Sequence, residues 1–139
     1  MIILDTNVVS ELMRPAPSSQ IAKWFSKFSA DDLHSSSITL AEILYGIELL
    51  PLGKRKTELL AGAKRLFDIV LENRILVFDE PAAQHFSQIA SRRRRLGRPI
   101  AEFDAQIAAI ASVHGATLAT RNTADFEGCG IRLANPWVD

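Results

Sequence analysis

Short apolar runs alternate with helical patterns along this chain, and that alternation constrains its fold more than any other feature. The clearest runs are Ile2–Leu4, Ile75–Phe78 and Thr117–Ala119. They are mostly continuous rather than alternating with polar residues, which is typical of strands buried on both faces. Strands of this kind, separated by helices, predict an α/β fold in which a parallel sheet carries helices on both faces.

Weaker patterns complete the predicted order of elements. Leu33–Ser36 is a weak strand candidate, and Ile131–Leu133 is a candidate edge strand. Capping residues, prolines and glycines bound the helices between them. We predict one helix capped by Ser18 or Ser19, and others near residues 7–13, 39–50, 54–73, 81–96 and 99–114. The chain has no internal repeat or linker, so 139 residues predict a single domain over residues 1–139.

The composition narrows the class of protein without indicating a partner. Lys plus Arg and Asp plus Glu number 16 each, so no global charge favours nucleic acid or membrane. Cys129 is the only cysteine, which excludes an intramolecular disulfide. The N-terminus lacks the pattern of a signal peptide, and no run approaches the ~20 apolar residues of a membrane helix. We therefore expect a soluble cytoplasmic protein without a membrane partner.

Two acids occupy positions where helix capping competes with function. Asp5 ends the first strand, so its carboxylate would lie at the carboxyl edge of the sheet, where sites form in such folds. Asp5 or Asn7 could instead cap the next helix. Glu42 follows Thr39 by three residues, which is the spacing of a capping box, yet the residues after Glu42 are apolar. Both interpretations of each acid stay open at this point.

Asp104 is the acid that fits a structural role least well. It lies inside the predicted helix 99–114, too late for a cap, and its neighbours three and four residues away are apolar. An ionised carboxylate on an apolar face is costly unless it is paired or binds a cation. One alternative to a functional role is a buried ion pair, for example with Arg121.

The ends of two predicted strands bring polar residues to one edge of the sheet. These are Asp5–Asn7 and Thr120–Asn122. If Asp5, Glu42 and Asp104 converge at that edge, their charges repel, and a hard divalent cation is the natural counter-charge. Mg²⁺ binds few carboxylates plus waters, an arrangement that suits phosphate-ester chemistry.

The residues around these acids resemble a known family. The chain is similar to PIN-domain VapC-type ribonuclease toxins, and most similar to the FitB-like subgroup, over essentially its whole length. The segments that carry the resemblance, in family order, are Met1–Glu11, Ser37–Ile43, Ile100–Ala109, Leu118–Phe126 and Asn135–Trp137. The resemblance implies a PIN-like three-layer α/β/α sandwich whose parallel sheet has four or five strands.

The resemblance also implies an activity and its site. The activity is that of a metal-dependent endoribonuclease, the toxin of a type II toxin–antitoxin pair, which cleaves RNA phosphodiesters with metal-activated water. Its cofactor is Mg²⁺, for which Mn²⁺ can substitute. The family's catalytic positions match Asp5, Glu42, Asp104 and Asn122.

The resemblance also assigns residues of this chain to metal-binding and site-lining positions. Asp5 and Asp104 match metal ligands, and Glu42 holds the metal directly or through a water. Asp125 is a candidate for a position outside the direct metal ligands. An Asp in this segment can instead cap a turn or the start of a helix. Thr6 and Thr120 match hydroxyl positions that line such sites.

The partners that the resemblance implies are RNA and a cognate VapB- or FitA-like antitoxin. It also implies a homodimer, or a larger toxin–antitoxin hetero-oligomer. Tyr45 and Phe67 are candidates for a helical surface used in self-association.

One dense basic patch is a candidate RNA-backbone clamp. It comprises Arg92, Arg93, Arg94, Arg95 and Arg98, with Arg121 further along the chain. The alternative is a solvated helix end, where cations suit the C-terminal dipole. Four consecutive arginines cannot share one face of a helix, so only some of them can contact RNA.

Two other classes of function compete with the ribonuclease. One is a non-enzymatic RNA-binding or partner-binding module on the same fold, which the presence of all three acids disfavours. The other is a haloacid-type phosphatase, which would need an acid two residues after Asp5, where Asn7 stands.

Overall fold

The computed structural model describes all 139 residues. Five strands and seven α-helices follow one another along the chain. The strands are β1 (Ile2–Leu4), β2 (Leu33–Ser36), β3 (Ile75–Leu76), β4 (Thr117–Ala119) and β5 (Arg132–Ala134). The helices are α1 (Thr6–Leu12), α2 (Ser19–Phe25), α3 (Ser37–Glu48), α4 (Lys54–Lys64), α5 (Glu80–Arg95), α6 (Glu102–Val113) and α7 (Thr123–Phe126).

The five strands form one parallel sheet in the order β3-β2-β1-β4-β5. The central strand is β1, in which Ile3 pairs with His34 on one side and Leu118 on the other. The predicted α/β fold with a parallel sheet is therefore confirmed, and β5 is the edge strand expected at the tail. Because all strands run the same way, their carboxyl ends meet at one edge.

Helices cover both faces of the sheet. Ile2 and Leu4 point into a core formed with α1–α4, whereas Ile3 points into a second core formed with α5, α6 and α7. Successive side chains of a strand point to opposite faces, so the fully apolar β1 serves both cores. The result is the predicted three-layer α/β/α sandwich. No helix in the structure combines the length and apolar character needed to cross a membrane.

Two predicted helix starts are wrong. α3 begins at Ser37 rather than Thr39, because the Ser36 hydroxyl accepts a hydrogen bond from the Thr39 N–H at 3.0 Å. α6 begins at Glu102 rather than Pro99. The Arg98 carbonyl accepts a 2.7 Å hydrogen bond from the Arg93 side chain, which holds the chain leaving α5 in a connection instead of a helical turn.

The predicted helix over residues 54–73 is divided. α4 ends at Lys64 and passes directly into a π-helical segment over Arg65–Val70. The wider turn places Leu66 and Phe67 in the core with Leu71. The prediction that Phe67 forms a self-association surface is therefore wrong, since its side chain is buried.

Candidate active site

Asp5 occupies the carboxyl edge of the sheet between two neighbouring strands. It directly follows β1, and Thr120 directly follows β4, whose Ala119 pairs with Leu4. That register brings the Thr120 hydroxyl within 2.7 Å of Asp5 Oδ2, to which it donates a hydrogen bond. Asp5 Oδ1 accepts from the Thr6 N–H at 2.8 Å, so Asp5, not Asn7, is the N-cap of α1. Capping engages one oxygen and leaves the other turned toward Thr120.

Glu42 faces the same edge from α3. The Thr6 hydroxyl donates to Glu42 Oε1 at 2.9 Å and lies 3.3 Å from the Thr39 hydroxyl. The capping box anticipated for Thr39 and Glu42 does not form, because Ser36 is the cap and Glu42 lies in the second turn of α3. Glu42 is therefore free of the structural role that competed with function.

Asp104 reaches the edge from the first turn of α6. It makes no side-chain capping hydrogen bond, although its position in the first turn corrects the expectation that it lies too late in the helix for a cap. The alternative of an ion pair with Arg121 is also wrong, because that guanidinium lies over the Trp137 ring at 5.0 Å from its centroid. No ion pair in the structure involves Asp104.

The electrostatics show that these acids lie close enough to repel one another. Burial, with the charges of Asp5, Asp125 and Glu42 adding to it, raises the pKa of Asp104 to about 6. Burial also raises the pKa of Glu42, and the charge of Asp5 adds to the effect while the Thr6 hydroxyl opposes it. Burial likewise raises the pKa of Asp5, against the hydrogen bonds from Thr120, Thr6 and Asn7. Three of the acids predicted for the site are thus destabilised as anions.

Asn122 and Asp125 reach the site in different ways. The backbone N–H of Asn122 donates to the Thr120 hydroxyl at 3.1 Å, so Asn122 is tied to the hydroxyl that binds Asp5. Asp125, in α7, contributes charge, because its carboxylate raises the pKa of both Asp5 and Asp104. Both side chains are exposed.

Asn7, expected at this edge and as an alternative helix cap, is a site residue that binds both strand ends. Its side-chain amide donates to Asp5 Oδ2 and to the Thr120 hydroxyl, each at 3.3 Å. Its side-chain oxygen accepts from the Arg121 N–H at 3.0 Å. Asn7 therefore joins the ends of β1 and β4. The only signal in the sequence is its position two residues after the strand-ending acid.

The donor chemistry of the site fits a hard cation. The acids and hydroxyls at the edge offer oxygen, which is what Mg²⁺ and Mn²⁺ prefer, and none of Asp5, Glu42, Asp104 and Asp125 has a basic partner in an ion pair. No three acidic, histidine or cysteine side chains converge tightly enough to enclose an ion as they stand. Hydroxyl and amide donors hold Asp5 and Glu42 in their present orientations.

The basic patch separates into buried and exposed members. Arg93 is 5% exposed, and its side chain donates to the carbonyls of Arg98 and Asp125 at 2.7 and 2.8 Å. The prediction that Arg93 contacts RNA is therefore wrong. Arg92, Arg94, Arg95 and Arg98 are exposed, and Arg98 pairs with Glu127 at 3.7 Å. Arg121 is exposed beside Asn7.

Comparison with known proteins agrees with this architecture. A model of the PIN domain matches residues 2–128. The chain belongs to the PIN domain family. Within that family it is 40% identical over 139 residues to Toxin FitB of Neisseria gonorrhoeae, with both chains covered completely. It is also 36% identical over 137 residues to VapC ribonuclease Y4jK of Sinorhizobium fredii, covering 99% of this chain and 98% of the relative.

The PIN fold is also shared with solved structures. The structure of FitAB bound to the IR36 DNA fragment superimposes with a TM-score of 0.87 at 39% identity, covering 99% of this chain and 96% of the other. The identity to FitB places this PIN domain protein in the FitB-like subgroup, as the resemblance predicted.

Proposed function

We propose that this PIN domain protein is a divalent-cation-dependent endoribonuclease that acts as the toxin of a type II toxin–antitoxin pair. The observation that carries the proposal is the meeting of Asp5, Glu42 and Asp104, from three different elements, at one sheet edge without a basic partner. Anions that destabilise one another in this way are stabilised by a bound cation. The ribonuclease name of the Sinorhizobium fredii relative supports RNA as the substrate.

The residues present suit Mg²⁺, with Mn²⁺ as a substitute. Asp5 and Asp104 would hold the cation, and Glu42 would hold it directly or through a water. When bound, the cation supplies activation of the attacking water and stabilisation of the charge that develops on the scissile phosphate.

The uncharged side chains of the site keep the carboxylates in place. The Thr120 hydroxyl and the Asn7 amide orient Asp5, and the Thr6 hydroxyl orients Glu42. Orientation of this kind lowers the reorganisation needed when substrate binds. The neutral Asn122 amide would orient the site without adding charge. Asp125 would add negative charge behind the carboxylates that hold the cation.

The relatives indicate a protein partner as well. The solved structures similar to this chain include FitAcB from Neisseria gonorrhoeae and FitAB bound to the IR36 DNA fragment. At 39% identity over 99% of this chain, a FitA-like or VapB-like antitoxin is the partner that we propose here.

Cleavage of RNA by the purified chain tests the activity. The wild type and the Asp104→Asn variant are incubated with total RNA in Mg²⁺, in Mn²⁺ and in EDTA, and products are resolved by gel. We expect cleavage by the wild type only with a divalent cation, and none by the variant. RNA binding without cleavage in either cation would contradict the proposal and favour a non-enzymatic RNA-binding module.

A further inference from the structure

Two aromatic side chains stand beside the acids, and the proposed mechanism does not use them. The chain has ten aromatic residues, and only Tyr45 and Phe103 among them are exposed, at 67% and 53%. Both line one open cavity of about 590 Å³, whose remaining walls are Ala41 and Glu42. The only exposed aromatic rings of the molecule therefore share a cavity with one of its proposed catalytic acids.

The two rings are placed by the same helices that place the acids. Tyr45 lies three residues after Glu42 on α3, and such residues are neighbours on one face of a helix. Phe103 directly precedes Asp104 in the first turn of α6. Each of these acids thus has an aromatic neighbour on its own helix, and the small Ala41 leaves the space between them open.

We propose that Tyr45 and Phe103 form a nucleobase-binding site that stacks one base of single-stranded RNA beside the scissile phosphate. The proposal rests on the proposed ribonuclease function. It adds recognition of a base, which the acids that hold the cation do not provide. Unstacked bases of single-stranded RNA bind to aromatic side chains, and this stacking tolerates every base because each has a π-face.

The polarity of the cavity favours a nucleotide over a protein surface. Two walls are aromatic and one is the half-buried Glu42 carboxylate. A nucleotide has an apolar base face for the rings and a phosphate that approaches the acids together with their cation. A second copy of this chain packed on the rings would have to supply a basic side chain to the Glu42 carboxylate, because burying an unpaired carboxylate is costly. The volume lies within the range of about 300–1,000 Å³ typical of small-ligand sites.

The test scans the bases of one substrate. A short oligoribonucleotide containing a linkage that the wild type cleaves is prepared with an abasic residue at each position in turn. For the wild type, we expect the abasic residue at one position next to that linkage to lower kcat/KM by about 5- to 150-fold, the effect of losing one stacked base. Tyr45→Ala and Phe103→Ala should slow cleavage of the intact oligonucleotide, and the same abasic residue should then have little further effect.

Matched variants separate stacking from general apolar contact. Tyr45→Trp should retain the abasic penalty, whereas Tyr45→Leu should lose it, because leucine has no π-face. Leu49→Ala is the control, since Leu49 is 67% exposed, lies one turn beyond Tyr45 and does not line the cavity. We expect this control to behave as the wild type.

Three results would overturn the proposal. A wild type that cleaves with no positional abasic penalty excludes base stacking and leaves the ribonuclease function standing. A wild type that cleaves no RNA removes both. The alanine variants could also lose cleavage activity because a dimer becomes a monomer, which sedimentation velocity would detect. If the abasic penalty is then unchanged, the rings belong to an interface between copies.

Discussion

Asp104 couples the stability of this protein to pH. Its ordinary pKa of 3.8 rises to about 6 in the folded state, chiefly through burial. Between these values the folded state retains a proton that the unfolded state has released, so protonation favours folding there. This contribution to the free energy of unfolding is fully present below about pH 4 and is lost as the pH rises through about 6.

The Asp104→Asn variant removes that dependence. In EDTA, we expect it to be more stable than the wild type at neutral pH by on the order of 1 kcal/mol, a value reduced for solvent screening of a half-exposed carboxyl. The difference should shrink as the pH falls from about 6 to about 4. Urea denaturation of both proteins at several pH values measures it, and equal stabilities at neutral pH would contradict the argument.

The roles of Asn122 and Asp125 predict graded losses of activity. Asp5→Ala should abolish cleavage, because it removes an acid at the centre of the proposed cation site. Asn122→Ala should lower activity moderately, and Asp125→Ala should lower it less or comparably, since a cation already neutralised by other carboxylates gains little from another charge. The Mg²⁺ dependence of cleavage is measured for all three folded variants. If Asp125→Ala is as inactive as Asp5→Ala, then Asp125 is a direct ligand.

Besides its packing in the second core, α5 is tied to the chain around α7 by Arg93. The Arg93 guanidinium donates to the carbonyl of Asp125 and to the Cys129 sulfur at 3.4 Å, so it links α5 to α7 and to the turn that follows. Arg93→Ala leaves buried acceptors without a donor, and we expect it to lower the free energy of unfolding by about 2–3 kcal/mol. The exposed Arg94→Ala is the control and should change it by less than about 0.5 kcal/mol. Urea denaturation compares the two.

For the exposed side of the same helix, contact with RNA stays a prediction. Arg92, Arg94 and Arg95 are solvent-exposed, so they remain free to neutralise phosphates. Replacing any one of them by alanine should weaken RNA binding regardless of sequence, and should reduce the slope of log K against log salt by roughly one unit per lost contact. An unchanged slope for all three variants would indicate that they form only a solvated helix end.

The proposed toxin should act on the cell that makes it. We expect expression of this chain alone to arrest growth and translation in a bacterial host. Co-expression with a cognate FitA-like antitoxin should restore growth, and the Asp5→Ala variant should be harmless when produced at the same level. Unimpaired growth with folded wild-type protein present would contradict the toxin function. The RNA-cleavage assay would still test the ribonuclease activity independently.

The layered fold and the identity of the acids could be predicted from the amino-acid sequence. Apolar strands such as Ile2–Leu4 can be buried on both faces only in a sheet covered by helices, and that property is local. A polar residue that directly follows such a strand must lie at the carboxyl edge of the parallel sheet. Asp5 and Thr120 could therefore be assigned to one edge before any contact between them was known.

Tertiary structure alone decided which side chains of a helix turn inward and which strand ends bind one another. Consecutive arginines have the same local pattern, and the rotation of α5 against the turn beyond α7 selects Arg93 for burial. The role of Asn7 depends on Thr120 and Arg121, more than a hundred residues away. Tyr45 and Phe103 likewise share a cavity only because α3 and α6 meet. Helical period and capping patterns extend over three or four residues, so they carry no information about partners that distant.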